Sequence, residues 1–275
     1  MKGKQLMIAD YHLHTRFSSD CEVNPELHIK RAIELGMNEL CFTDHVDFDY
    51  PKEDGKTMFR IDAQSYFEEL LKCKEQYATK IKIKIGIEAG LNRSTDKDNT
   101  NLIAAYPFDF VIGSSHIVDG NDPYYSEFWE NITPKEAINK YYNAVLSNVT
   151  FFNDYDIYGH LDYIRRYIPD SNFVYSLKDF TDIADMILKN IIAKGHGIEL
   201  NTRGLKNGIT EFVPTIMMLS RYRELGGEIV TVGSDAHVTE DLGYGFKTAQ
   251  DILINTGFKY YTTFENRTPL FIPLT

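Results

Sequence analysis

Seven short apolar or β-branched runs recur along this chain, separated by stretches with helical periodicity, and this alternation is what most constrains its fold. The runs cover residues 5–12 (QLMIADYH), 39–45 (ELCFTDH), 82–89 (KIKIGIEA), 109–116 (DFVIGSSH), 156–162 (DIYGHLD), 197–202 (GIELNT) and 228–235 (EIVTVGSD). Amphipathic segments lie between them at 25–35, 62–78, 134–149, 177–193 and 211–225, and the connection around 92–105 has the weakest helical pattern. Pro25 and Pro134 suit a first helical turn, and Thr133 suits an N-cap. Gly36, Gly195 and Gly226 follow helical segments, where a left-handed C-cap is wanted.

Repeated βα units imply a parallel sheet with right-handed crossovers. An open doubly wound sheet and a closed barrel both satisfy the pattern. The polar residues at the run ends decide for the barrel. Six of the eight histidines stand at or just past the C-terminal end of a run: His12, His14, His45, His116, His160 and His237. Glu88, Asp235 and, in the loop after the first run, Asp20 share that position. Strands at opposite edges of an open sheet could not share a small site, whereas a barrel gathers every C-terminal strand end on one face. The expected class is therefore α/β, a TIM-like (β/α)7 barrel formed by residues 1–275 as a single domain. The aromatic tail 258–275 should add a closing strand or hairpin.

Neutral imidazoles mixed with carboxylates form the ligand set of Zn²⁺, Mn²⁺ and Fe²⁺. Strand side chains alternate, so His12 and His14 share one side of their strand, as do Asp235 and His237. Glu88 has two oxygens and could bridge two ions. Nine candidate ligands are too many for one tetrahedral ion and suit two or three divalent cations. Asp10, Asp44, Ser114, Asp162 and Ser234 are candidates to hold the ligands from behind. His28 and His196, in a helix and before a strand, have ordinary structural settings.

Composition restricts the partners. The formal net charge is −11, which gives no general electrostatic reason to bind nucleic acid or an anionic membrane. Cys21, Cys41 and Cys73 have no disulfide or zinc-motif spacing, which suggests a reducing compartment. The N-terminus carries no signal-peptide pattern, and no apolar run approaches the roughly 18 residues of a membrane span. A cytoplasmic protein acting on a small molecule is expected.

The chain resembles the polymerase-and-histidinol-phosphatase (PHP) family from about residue 7 to 245. The motifs are Asp10-Tyr11-His12-Leu13-His14-Thr15 with Ser18 and Asp20, Thr43-Asp44-His45 and Gly86-Ile87-Glu88. They continue with Gly113-Ser114-Ser115-His116, Gly159-His160-Leu161-Asp162 and Gly233-Ser234-Asp235-Ala236-His237. Length and the Asn201-Thr202-Arg203 segment look most like the members that hydrolyse L-histidinol phosphate in histidine biosynthesis. The resemblance implies a distorted seven-stranded barrel and a trinuclear centre. One ion would take His12, His14, Glu88 and Asp235; a second would take Glu88, His116 and His160; a third would take Asp20, His45 and His237. Some members of the family have His where this chain has Asp20.

The expected reaction is hydrolysis of a phosphate monoester by a metal-bridged hydroxide. Arg165 and Arg203, just past the fifth and sixth strands, are the phosphate-binding candidates, with Arg166 behind Arg165. Asp44 and Asp162 are the candidates to protonate the leaving group. Asp47, Asp49, Glu53 and Asp119 are candidates for the substrate's amine and imidazole. Two alternatives stand beside this reading: a nuclease, nucleotide phosphatase or phosphotyrosine phosphatase of the same family, and a non-catalytic metal-binding module on the same fold.

Overall fold

A computed structural model describes residues 9–53, 55–206 and 211–274. The parallel strands are β1 (Ala9–Asp10), β2 (Glu39–Phe42), β3 (His45–Val46), β4 (Lys82–Gly90), β5 (Phe110–Ser114), β6 (Ile157–Tyr158), β7 (Gly197–Asn201) and β8 (Val230–Gly233). Their order is β1-β2-β4-β5-β6-β7-β8, with β3 paired to β4. Strands β2 and β3 are two pieces of one stave, since Glu39–Phe42 pairs with the first half of β4 and His45 lies opposite Glu88. The ring is closed by Tyr11 N–H donating to the Val232 carbonyl (3.1 Å), Asp235 N–H to that of His12 (2.7 Å) and His14 N–H to that of Ala236 (2.9 Å). Seven staves and their closure match the expected barrel.

Helices α1 (Pro25–Glu34), α2 (Ala63–Tyr77), α3 (Asp96–Ala105), α4 (Pro134–Phe151), α5 (Thr181–Ala193), α6 (Ile216–Glu224) and α7 (Phe246–Asn255) follow strands around the barrel. The expected caps form. Asn24 accepts from Glu26 N–H ahead of Pro25, and Thr133 makes a reciprocal capping box with Glu136. Gly36, Gly195 and Gly226 all have positive φ. The core is continuous from the barrel wall to the helix faces, built on buried Leu40, Ile87, Ile112, Tyr141, Ile187, Leu200 and Leu219.

Some boundaries differ from the sequence expectation, and the weakest expected helix forms. Within the first run only Ala9–Asp10 is strand, and residues 5–8 lie outside those described. The segment 92–105 does form helix, entered through a 3₁₀ turn at Arg93–Thr95. Helix α6 starts at Ile216 rather than at 211. Pro214 cannot donate to a helix, Val213 instead bridges Asn201, and Thr215 supplies the cap by accepting from Met218 N–H.

The tail forms an antiparallel hairpin of β9 (Tyr260–Glu265) and β10 (Thr268–Pro273). It packs at the N-terminal end of the barrel, away from the strand ends that carry the histidines. There Phe264 N–H donates to the Tyr11 hydroxyl (2.8 Å), and Arg267 pairs with Asp156 (2.6 Å) and Asp154 (3.2 Å).

Candidate metal centre and the cavity above it

Glu88 is the hub of the C-terminal face. It is fully buried on β4, and five imidazoles from four other segments surround it. Its Oε2 lies 3.0 Å from His12 Nε2, 3.6 Å from His14 Nε2 and 3.0 Å from His45 Nδ1. Its Oε1 lies 2.8 Å from His160 Nε2 and 3.3 Å from His116 Nε2, and accepts from the Ser114 hydroxyl at 2.6 Å. Burial alone would raise its pKa, but the facing imidazoles outweigh burial and hold it well below the usual carboxylate range.

Asp235 adopts φ +53°, a left-handed conformation that non-glycine residues rarely hold and that clusters at functional sites. Its backbone N–H is fixed on the His12 carbonyl, and its Oδ1 lies 3.5 Å from His14 Nε2. The His14 ring stands 4.1 Å from that of His45 and 4.2 Å from that of His237. Burial and these imidazoles push the His14 pKa well down, which keeps the ring in the neutral, ligating form. Asp20 completes the outer edge, 2.9 Å from His237 Nε2 and 3.9 Å from His45 Nε2.

All nine sequence-expected ligands thus meet at one mouth of the barrel. Within the described residues, four triads bring their ligand atoms to within 4.8 Å of one another: His12–Glu88–His160, His12–His14–Asp235, His45–Glu88–His116 and His14–His45–His237. These residues fit cations. His14 Nε2 and His45 Nδ1 are buried and make no well-directed hydrogen bond, although His45 Nδ1 lies 3.0 Å from Glu88 Oε2, a costly arrangement unless something else accepts their lone pairs. Two imidazoles also carry carboxylates behind them, as metal-bound rings usually do. Asp47 Oδ1 lies 2.9 Å from His116 Nδ1, and Glu199 Oε1 lies 2.6 Å from His12 Nδ1. Asp47 packs so closely on Gly90 that a β-carbon there would sit 1.8 Å from its Oδ1, so only glycine serves.

A cavity of about 480 Å³ opens above this cluster. Arg166 and Arg203 line it beside Asp235 and His237, with the Tyr163 ring 5.5 Å from the Arg166 guanidinium; Glu53, Asp122 and the rings of Tyr50, Tyr124, Tyr125 and Tyr167 also line it. Asp122 accepts from the Tyr50 hydroxyl (3.2 Å) and from Tyr124 N–H (2.8 Å), and Glu53 accepts from the Tyr125 hydroxyl. Of the expected amine-binding acids, Asp47 and Glu53 line the cavity, Asp49 does not, and Asp119 pairs with Lys140 on the surface.

Three expected site residues stand elsewhere. Asp44 is fully buried behind the first loop, accepting from Thr15 N–H (2.7 Å) and the Ser18 hydroxyl (2.8 Å); burial raises its pKa to about 6, yet it does not reach the cavity. Asp162 is also fully buried, accepting from Thr215 N–H (3.0 Å) and Arg165 (3.3 Å). Both brace loops, so neither is placed to protonate a leaving group. Arg165 pairs with Asp162 and Glu211 and stacks on Tyr175, pointing away from the cavity that its neighbour Arg166 enters. The cause is the 3₁₀ turn at Tyr163–Tyr167. With three residues per turn, Tyr163 and Arg166 share one face while Asp162 and Arg165 share the next. Arg203 lines the cavity as expected, donating to the Asp235 carbonyl and contacting His237 Nδ1.

A closed parallel barrel whose strand ends converge imidazoles and carboxylates under a cavity with guanidinium donors defines a barrel metallohydrolase. A family model for the PHP domain matches residues 10–203. The chain belongs to the PHP family. It is 33% identical over 257 residues to the histidinol-phosphatase of Lactococcus lactis subsp. lactis, covering 93% of this chain and 94% of that protein. It is also 33% identical to the protein named "Probable histidinol-phosphatase" in Clostridium acetobutylicum, covering 92% of this chain and 95% of that one. The crystal structure of the Lactococcus lactis histidinol phosphate phosphatase, complexed with zinc, L-histidinol and phosphate, superposes with a TM-score of 0.90 at 32% identity. That match covers 97% of this chain and all of the other.

Proposed function

We propose that this chain is a metal-dependent histidinol-phosphatase that hydrolyses L-histidinol phosphate to L-histidinol and phosphate, as in histidine biosynthesis. One observation carries the reading: a single cavity presents the His/Asp/Glu cluster and two guanidiniums beside a wall of carboxylates and tyrosines. A substrate with a phosphate at one end and an amine and imidazole at the other matches that polarity. The similarity to the Lactococcus lactis enzyme, over nearly the whole of both chains, supports the same substrate.

His12, His14, Glu88 and Asp235 would hold one divalent ion, Glu88, His116 and His160 a second, and Asp20, His45 and His237 a third, with zinc, manganese or iron as the chemical options. When bound, such ions supply a nucleophilic hydroxide at neutral pH and Lewis-acid neutralisation of phosphoryl charge. The chain's own residues do the rest. Arg203 and Arg166 face the phosphoryl end and complement charge that grows on its oxygens. Asp122 and Glu53 face the organic end and accept from its cationic amine and imidazole. The tyrosines wall that end and exclude water.

The whole of 1–275 is read as one domain, since the hairpin after α7 caps the barrel that the family match begins. A cytoplasmic setting suits three unpaired, buried cysteines; among the described residues no helix is long and apolar enough to cross a membrane. The test is a steady-state comparison of L-histidinol phosphate, p-nitrophenyl phosphate and a dinucleotide with zinc-loaded protein. The highest kcat/KM is expected for L-histidinol phosphate, and preference for the dinucleotide would overturn the substrate.

A further inference from the structure

Glu199 is a charged residue in the middle of strand β7, between Ile198 and Leu200, and it is 1% exposed. Barrel interiors are normally filled by apolar side chains, so a carboxylate here demands partners. It finds them on two different staves. Oε1 lies 2.6 Å from Nδ1 of His12, at the end of β1, and Oε2 accepts from the backbone N–H of His160, past β6, at 2.9 Å. Asn201, two residues on and on the same face of β7, donates to Oε2 at 3.2 Å. The barrel wall is cut to admit it: a β-carbon at Gly233 would lie 2.4 Å from Oε1 and 2.3 Å from His12 Cβ, so that position must be glycine.

We infer that Glu199 is the positioning residue that couples the first two ion sites, fixing His12 and His160 together through its two oxygens. The inference rests on the metal-centre reading above and extends it to a residue that would touch neither ion nor substrate. Nδ1 of His12 faces Oε1 at 2.6 Å while Nε2 is aimed at Glu88 Oε2, 3.0 Å away, so with an ion held at Nε2 the ring proton would stay on Nδ1 against Glu199. That is the tautomer a metal needs. The same carboxylate sets the chain direction at His160, whose Nε2 reaches the other oxygen of Glu88 at 2.8 Å. One side chain thereby sets the ring of a ligand to one ion and the backbone of a ligand to its neighbour.

The two acceptors make a sharp test, because glutamine has only one. In Glu199→Gln the amide oxygen can serve either His12 Nδ1–H or His160 N–H, and the NH₂ group then faces the remaining donor. Either His12 switches to the tautomer protonated at Nε2 or the His160 backbone shifts. The experiment loads wild type, Glu199→Gln and Glu199→Asp with zinc and counts zinc per chain against a graded chelator. Circular dichroism reports folding, and ¹⁵N NMR of the histidine rings reports the His12 tautomer. The expected result for Glu199→Gln is a native fold, a roughly 10- to 100-fold weaker hold on two ions lost together, and either loss of the His12 Nδ1–H signal or a shifted His160 backbone amide. Glu199→Asp keeps the charge but cannot span both donors, so it should lose the same ions. Wild-type zinc retention in either folded variant overturns the inference, and the aspartate variant decides it if the glutamine variant does not fold. A wild type that binds no zinc would instead overturn the metal centre itself.

Discussion

The guanidinium of Arg166 ends 3.1 Å from Oδ2 of Asp235, and both side chains are almost wholly buried at the edge of the cavity. Arg166 also donates to Asn201 Oδ1 at 2.8 Å, and its Nε has no partner. It therefore both orients a candidate metal ligand and keeps a donor near the phosphoryl end. Arg166→Ala should lower kcat/KM by about 10²–10³-fold, the usual effect of removing one preorganised donor. Arg165→Ala should behave oppositely. Its loss leaves Asp162 buried with one partner fewer, costing roughly 1–3 kcal/mol of stability, while kcat/KM of the folded protein stays within a few-fold of wild type. Paired kinetics and urea unfolding of the two variants check this; a larger kinetic loss in Arg165→Ala would reverse the assignment.

Asp122 is buried yet lines the cavity, where two tyrosines and a backbone amide fix its oxygens. A carboxylate so held is preorganised for a cation. Asp122→Asn keeps the shape and removes the charge. It should lower kcat/KM for L-histidinol phosphate about tenfold or more, and leave p-nitrophenyl phosphate, which has no amine, unchanged. Equal losses on the two substrates would show that Asp122 supports the site as a whole instead of reading the organic end.

The sequence carried the barrel and the convergence of the nine candidate ligands because both obey local rules. Strand runs alternate with capped helices, and ligands stand at strand ends or in the loop just beyond, as His116 after β5 and Asp20 after β1 do. What it hid depends on finer geometry. Arg166 and Arg165 are adjacent just past the fifth strand, and the 3₁₀ turn that sends one to the cavity and the other to the wall has no mark in the spacing. Asp44 and Asp162 sit inside ligand motifs, but their carboxylates serve backbone amides, which spacing alone cannot show. Asp122 lies in a long loop without periodicity. Glu199 did leave a signal: a lone charge two residues before Asn201, both facing inward on a strand otherwise apolar.

Below the barrel, burial raises the Asp156 pKa from 3.8 to about 6, against the opposing pull of Arg267. The folded state therefore binds this proton more tightly than the unfolded chain. Between about pH 4 and 6 the native state holds more protons, so this group's contribution falls as pH rises and is fully lost above pH 6. The shift corresponds to roughly 3 kcal/mol. Asp156→Asn cannot titrate, so its stability should decline less than wild type's across that window. Urea midpoints at pH 4, 5, 6 and 7, compared between metal-free wild type and variant, give the difference; parallel curves would refute the prediction.

At the cavity rim, Asp20 is the most open of the nine candidate ligands, with its side chain 38% exposed against 14% for His237 and 12% for His45. Water competes best there, so the third ion should be the weakest held and the first to leave under a chelator. Asp20→Ala should then reduce zinc from three ions per chain to two while the Glu88-centred pair remains. Each ion bound only by the folded chain adds about 2.7 kcal/mol at a hundredfold excess over its Kd, so the variant's melting temperature in zinc should fall towards that of wild type lacking one ion. Asp20→His puts an imidazole where the carboxylate was and should restore the third ion, because His45 and His237 still supply two neutral nitrogens. Zinc counts and melting curves for the three proteins decide the matter: an alanine variant that still holds three ions would remove Asp20 from the ligand set.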